Sequence, residues 1–223
     1  MSSPRSVWRA FCTARLIWTL MCFMAVLYTF GYSFRMRTIL PEEKNPVLRQ
    51  KANDIPVADI KGKAIQKLIA EMKALLAKEE YGVALAAPQV GVPLKLFVIS
   101  GKALARDSRN APDVPAEALA KAGEREKQGP PVPDQIYINP ELLKISRAKS
   151  PKHEGCLSVR GKWGTVPRAE KATIRAYDEK GARFMRGASG FLAHIFQHEL
   201  DHLEGILYTD KATHVYDEEK SDE

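Results

Sequence analysis

A histidine pair four residues apart, in Gln197-His198-Glu199-Leu200-Asp201-His202, constrains this chain more than any other feature, because it does its work only on a helix. Residues four apart on a helix stand one above the other, so His198 and His202 present both imidazoles to the same point. Glu199 projects from the neighbouring part of that face, close enough to handle the proton of a reacting water without being a ligand itself. An HExxH helix is the usual arrangement for metal-assisted hydrolysis. Two histidines leave a tetrahedral ion two ligands short. A third protein ligand with one open position makes a catalytic site.

The third ligand separates the enzyme classes. A metzincin pattern would continue HExxHxxGxxH, and here Gly205 is followed by Tyr208 where the third histidine would stand. A thermolysin-like enzyme takes a downstream glutamate, but only the short tail with Asp217, Glu218, Glu219, Asp222 and Glu223 remains. That tail is highly charged and lacks an apolar face, so it is expected to fray. Cys156, 42 residues before His198 in Glu154-Gly155-Cys156-Leu157-Ser158, is the better candidate. A thiolate binds divalent ions strongly, Gly155 lets backbone approach closely, and the Leu157 amide can point at a developing oxyanion.

A third segment, Gly82-Val83-Ala84-Leu85-Ala86-Ala87-Pro88-Gln89, is apolar, rich in small residues and ends in one polar side chain. Gln89 offers amide donors that stay neutral at every working pH, which suits an oxyanion.

GVALAAPQ, EGCLS and QHELDH, in that order, resemble the motifs of peptide deformylases, metal hydrolases that remove the formyl group from N-formylmethionine on new polypeptides. The resemblance runs from Met36 to about Asp210, roughly four-fifths of the chain. Three ordered motifs make a specific signal, where any one alone is weak to moderate. One departure is Ala84, where the family pattern has its second glycine; a methyl group there is expected either to narrow the cleft or to alter pairing with the substrate backbone. The resemblance implies that Cys156, His198 and His202 bind the metal, usually ferrous iron, with zinc, nickel or cobalt as alternatives. It implies that Glu199 carries the proton and that Gln89 and the Leu157 amide hold the tetrahedral oxygen. The substrate is expected along Gly82, Val83, Ala84 and Gly155, with Val83, Phe191 and Ile195 lining the methionine pocket. Core packing explains those three nearly as well.

Each residue also has a plainer reading. A lone HExxH is often a polar helix face, and a lone buried cysteine is usually a small hydrophobe. Gly82, Ala86 and Ala87 read as packing residues. His194 lies one turn before His198 and is expected either just behind the ligands, supporting them, or at the pocket edge, because making it a ligand leaves Cys156 unexplained. His153 reads as a surface histidine. Asp201 either orients a histidine or forms a buried salt bridge, and Glu154 and Arg168 are candidate braces for the cysteine loop.

Around the motifs the chain supports one core; no repeat or second catalytic block marks another domain. Ile60 to Glu80 carries an apolar stripe and reads as a supporting helix. Leu94–Ile99 and Gln135–Ile138 read as strands, the second ended by Asn139-Pro140, and 172–177 with 182–185 read as a hairpin. Gly190 to Leu203 is the metal helix. The fold class expected is α+β: mixed, mainly antiparallel sheets packed around the C-terminal HExxH helix, with one N-terminal supporting helix. Residues 101–134, rich in Ala, Pro, Asp and Lys, read as a surface insertion with a short helix near 116–122. The catalytic unit is expected over 36–211 and an acidic tail over 212–223.

Residues 1–35 form a hydrophobic extension containing Arg5, Arg9, Arg15 and Arg35 and no acidic residue. Leu16 to Phe34 is a 19-residue stretch without charge, long enough to span a membrane. A signal anchor, an organellar targeting segment and a true start at Met36 compete; the last is preferred, since the substrates emerge from ribosomes. That reading places the enzyme in the cytoplasm, with membrane contact only if 16–34 is translated and retained.

Net charge is +7, and removing the four arginines of the first 35 residues leaves +3 (7 − 4). That is too little to argue for DNA binding, though it leaves room for transient ribosome docking. Cys156 is the sole cysteine after Met36, which suits a reducing compartment. Two rivals to a deformylase remain: an HExxH metalloprotease cutting internal bonds, and a catalytically silent, metal-stabilised homologue. Loss of Glu199 would have signalled the second, and it is present.

Overall fold

The computed structural model describes residues 37–109 and 132–217, with a compact unit beginning at Thr38. The hydrophobic stretch 16–34, the start at Met36, the helix expected near 116–122 and residues 218–223 lie outside the described residues.

Helix α1 spans Lys63–Leu76. Its stripe of Leu68, Ile69, Met72 and Leu76 is buried, as the helical period demands. It starts three residues later than the apolar pattern suggests because Gly62 is extended (φ −66°, ψ 147°) and Ile60 belongs to a preceding 3-10 turn. Two antiparallel sheets follow. Strands β1 (Ala84–Ala86), β2 (Leu96–Ile99) and β3 (Gln135–Ile145) combine with β6 (Lys171–Tyr177) and β7 (Arg183–Ser189) in the order β1-β2-β3-β6-β7. Strands β4 (Lys149–Cys156), β5 (Val159–Ala169) and β8 (His214–Asp217) form the second sheet, in that order. Helix α2 is Gly101–Arg109, α3 is Gly190–Leu203 and α4 is Tyr208–Lys211. This is the expected α+β architecture.

Strands β1 and β2 and the start of β3 are buried on both faces. Leu96 and Val98 join Ile136 and Ile138 in a cluster with the stripe of α1. Their alternates Phe97 and Ile99 join Tyr137 and Ile174 in a second cluster with Leu192, Ile195 and Phe196 of α3. Phe97 stacks on Tyr137 with ring centroids 4.7 Å apart, and Phe196 meets Tyr137 edge-on at 5.4 Å. The sheet thereby fixes α3 and its histidines on one side.

Three local expectations need correction. Strand β3 does not stop at Asn139-Pro140 but runs on to Ile145, with a register shift between Ile138 and Glu141. Asn139 takes φ 48° there, a left-handed conformation that asparagine tolerates. Its side chain accepts from the Ile55 amide at 2.8 Å and donates to the Ile55 carbonyl at 2.7 Å. Asn139→Ala should therefore lower the unfolding free energy read from urea titration by about 1–3 kcal/mol, since both main-chain groups of the buried Ile55 lose their partner. Asn139→Gly keeps the backbone freedom and should lose only the hydrogen-bond part.

The acidic tail does not fray at its start. His214–Asp217 adds a strand to β5, pairing Asp217 with Lys162 and Tyr216 with Trp163. Main-chain pairing and the aromatic neighbour hold it where amphipathicity could not. The segment after Gly101 also opens as helix, not loop: Ala103 and Leu104 of α2 are buried in the core, and the Ser100 hydroxyl accepts from the Ala103 amide at 3.3 Å.

Candidate metal centre

Helix α3 begins at Gly190 (φ 56°) and its buried face carries Ala193, Phe196, Glu199 and His202. Gln197, which the sequence reading used only as part of a motif, anchors this helix to the second sheet. Its carbonyl accepts from the Ala169 amide at 2.9 Å, and its amide donates to the Ala169 and Ala193 carbonyls at 2.9 and 2.8 Å. The helix therefore meets β5 in one register, and its two imidazoles face the end of β4.

Cys156 ends β4, and its Sγ lies 3.3 Å from His202 Nε2. One ligand atom each of Cys156, His198 and His202 fall within 4.8 Å of one another. Sulfur and imidazole nitrogen on one tetrahedral ion stand roughly 3.6 Å apart, given ordinary bond lengths. The three residues thus fit a divalent ion. His198 Nδ1 is 2.7 Å from Glu154 Oε2, so it donates to that carboxylate and leaves Nε2 for the ion. Tyr208 is no competitor: its hydroxyl donates to the Lys162 carbonyl at 2.9 Å while its ring stacks against His198.

Glu154, 2% exposed, is the hub of the shell around these ligands. Arg168 donates to both its oxygens at 2.6 and 2.9 Å, and His194 Nε2 lies 3.0 Å from Oε1. Burial alone would lift this carboxyl, but the hydrogen bonds from Arg168, His194 and His198 outweigh it and hold it well below the usual carboxylate range. Arg168 also reaches Asp201 at 2.6 Å, and Asp201 in turn accepts from Lys211 at 2.6 Å. Asp201 is therefore a salt-bridge partner. His194 stands behind the ligands on Glu154, one of the two places expected for it, and His153 is exposed, bonded to the Tyr216 hydroxyl at 2.9 Å.

His198 and His202 are driven apart. Burial opposes the charge on His198, yet Cys156 and Glu154 lift it well above its ordinary value; burial and the neighbouring His198 push His202 well below.

Glu199 is 3% exposed and its Oε2 has no hydrogen-bond partner among the described residues. Burial pushes its carboxyl up to about 7, with Glu154 adding to the rise and His198 opposing it. The folded, metal-free protein thus holds this proton more tightly than the unfolded chain. Stability contributed by the neutral form is present at low pH and is lost as pH rises from about 4.5 to about 7. Glu199→Gln removes that loss. In the chelator-treated protein, the urea midpoint of the variant should exceed that of the wild type by more at pH 8 than at pH 5.

Gln89 sits in the 3-10 turn Ala87–Val90 that follows β1. Its carbonyl accepts from the Ala86 amide at 2.8 Å, which fixes the side chain so that Nε2 faces Cys156 Sγ at 3.4 Å. The stretch before α1, which the family resemblance covers without giving it a role, holds both loops. The Leu40 amide donates to the Gln89 carbonyl at 2.9 Å, Asn45 Nδ2 to the Pro88 carbonyl at 2.8 Å, and the Glu42 amide to the Ser158 carbonyl at 2.9 Å. The Asn45-Pro46 pair within a family-like stretch was the signal for it.

β1 ends the five-stranded sheet and β4 ends the three-stranded one, so two outer strand edges converge where Gln89 meets Cys156. Gly82 is required by close approach, since a Cβ there would lie 2.8 Å from Glu79 Cβ. The Ala84 methyl packs in the core cluster, 5% exposed. Ile195 is core, while Val83 and Phe191 pack against the same cluster and remain half-buried. Among the described residues no helix is long and apolar enough to cross a membrane.

A thiolate, two histidines of an HExxH helix and a neighbouring buried glutamate define a metal-dependent hydrolase centre. The polypeptide deformylase family model matches residues 36–218. A chloroplastic peptide deformylase 1A of Solanum lycopersicum is 37% identical over 167 residues, 75% of this chain and 56% of that protein. A peptide deformylase of Leptospira biflexa is 36% identical over 75% of this chain and 83% of its own length. Among solved structures, a peptide deformylase from Legionella pneumophila superposes with TM-score 0.60 at 31% identity, covering 80% of this chain and 87% of that one. The chain belongs to the peptide deformylase family.

Proposed function

We propose that this chain removes the formyl group from N-formylmethionyl ends of newly made polypeptides, working where ribosomes release them, with only transient ribosome contact. The Cys156–His198–His202 cluster, with Gln89 against Cys156 and the buried Glu199 next to His198 on the same helix, is the observation that carries this reading. A divalent ion held by the triad supplies Lewis-acid polarisation of the formyl carbonyl and an acidified water. We take ferrous iron as the resident ion, with zinc, nickel or cobalt as alternatives.

The chain's own groups do the rest. Glu199, held dry and near neutrality, takes a proton from the attacking water and returns it to the leaving amine. The Gln89 amide, locked by Ala86, and the Leu157 main-chain N–H donate to the oxygen that gains charge as the carbon becomes tetrahedral. Glu154 and Arg168 hold His198 in the donating tautomer. The outer edges of β1 and β4 offer main-chain groups to an extended peptide, with the backbone of Gly82, Ala84 and Gly155 along the walls and Val83 and Phe191, backed by the buried Ile195, lining the methionine pocket.

The test is hydrolysis of formyl-Met-Ala-Ser by anaerobically purified full-length protein, with metal content measured on the same sample. Formate release and one equivalent of metal per chain are expected. Cleavage of internal bonds alone, in formylated and unformylated peptides alike, would instead identify a metalloprotease.

A further inference from the structure

We propose that the Trp163 indole is a platform for the second side chain of the substrate, making the enzyme selective for aromatic residues directly after the formylmethionine. The proposal rests on the deformylase reading above and names a preference within it.

β4 is an outer strand and Cys156 is its last residue. A peptide whose formyl group lies beside Cys156 can run along that outer edge as an added strand, and the side chains of such a strand alternate between faces. One face belongs to α3: Glu154 of β4 meets His198 there at 2.7 Å. The neighbouring strand agrees, because a Cβ on Gly164, which pairs with Glu154, would meet the Tyr208 ring at 2.9 Å. The first side chain of the substrate, directed at Val83, Phe191 and Ile195, lies on this α3 side. The second must then project to the opposite face.

Trp163 occupies that face at the level required. A Cβ on Gly155 would lie 3.4 Å from its Cε3 and Cζ3 atoms, so the indole covers the glycine immediately before Cys156. Gly155 has no side chain to shield the ring, and Trp163 remains 37% exposed. The register places Tyr216 beside it on β8, also 37% exposed, and the Tyr216 hydroxyl bonds to His153 Nδ1 at 2.9 Å. The surface is therefore aromatic and carries no carboxylate or ammonium at these positions. An aromatic side chain stacking on it gains beyond simple burial; glycine gains nothing.

The measurement is kcat/KM for formyl-Met-Phe-Ser against formyl-Met-Gly-Ser with the full-length wild type, Trp163→Phe, Trp163→Ala and Trp163→Leu. The wild type should favour the phenylalanine peptide by about two- to tenfold, expressed in KM. Trp163→Phe should keep that ratio, and Trp163→Ala should lose it. Should the alanine variant fail to fold, Trp163→Leu carries the same expectation, because it covers Gly155 without an aromatic face. A purely structural tryptophan would shift both peptides alike, so a ratio unchanged in the alanine or leucine variant overturns the proposal. No turnover of either peptide by the wild type would overturn the deformylase reading and this preference with it, whereas turnover with an unchanged ratio overturns the preference alone.

Discussion

Glu199→Gln should lower kcat for formyl-Met-Ala-Ser by about 10²- to 10⁴-fold, the usual worth of a positioned proton carrier. Glutamine has nearly the same shape, so the packing around residue 199 and the ligands on either side of it should be undisturbed. It cannot accept and return a proton. Metal stoichiometry should therefore stay at the wild-type value and KM should change little. The carboxylate is suited to the task because burial holds it near pH 7, where it can both receive and release a proton. Single-turnover kinetics on metal-loaded protein check this directly. Activity within tenfold of wild type would assign proton transfer to another group.

Arg168→Ala should cost about 3–5 kcal/mol of stability, because it strands Glu154 as an uncompensated buried carboxylate. Both partners are nearly inaccessible, at 3% and 1% side-chain exposure, so water cannot replace the guanidinium. The damage should reach the metal as well. Glu154 holds His198 through Nδ1, and loss of such an outer partner typically weakens metal binding by about 10- to 100-fold. Arg168→Lys keeps the charge but not the two-pronged contact, and should fall between the two proteins. Urea unfolding of the metal-free forms, with competitive chelator titration of the loaded ones, separates the two losses. A variant that binds metal as tightly as wild type would show that His198 needs no brace.

Residues near one another in sequence were the most legible. The bounds of α3 follow from glycine at one end and a sustained apolar face, and the four-residue spacing of His198 and His202 guarantees their convergence. The stripe of α1 and the all-apolar run of β2 were equally plain, since burial leaves its period in the sequence. Strands β4 and β5 left no such trace. They face solvent on one side, contain Pro151, Gly161, Gly164 and Pro167, and owe their pairing to each other. The same holds for β8, where four exposed residues form a strand only because β5 offers an edge.

The ordered motifs by themselves determined the candidate ligand residues, the candidate proton carrier and the family, because those depend on side-chain chemistry and short spacings. Tertiary structure alone decided how the ligands are held. Glu154 joins His194, His198 and Arg168 across 40, 44 and 14 residues of sequence, and Leu40, Glu42 and Asn45 tie down loops far along the chain. Contacts closed over such distances leave no periodic mark on either partner. They exist only after the hydrophobic clusters on the two faces of the large sheet have brought α3 and the outer strands together.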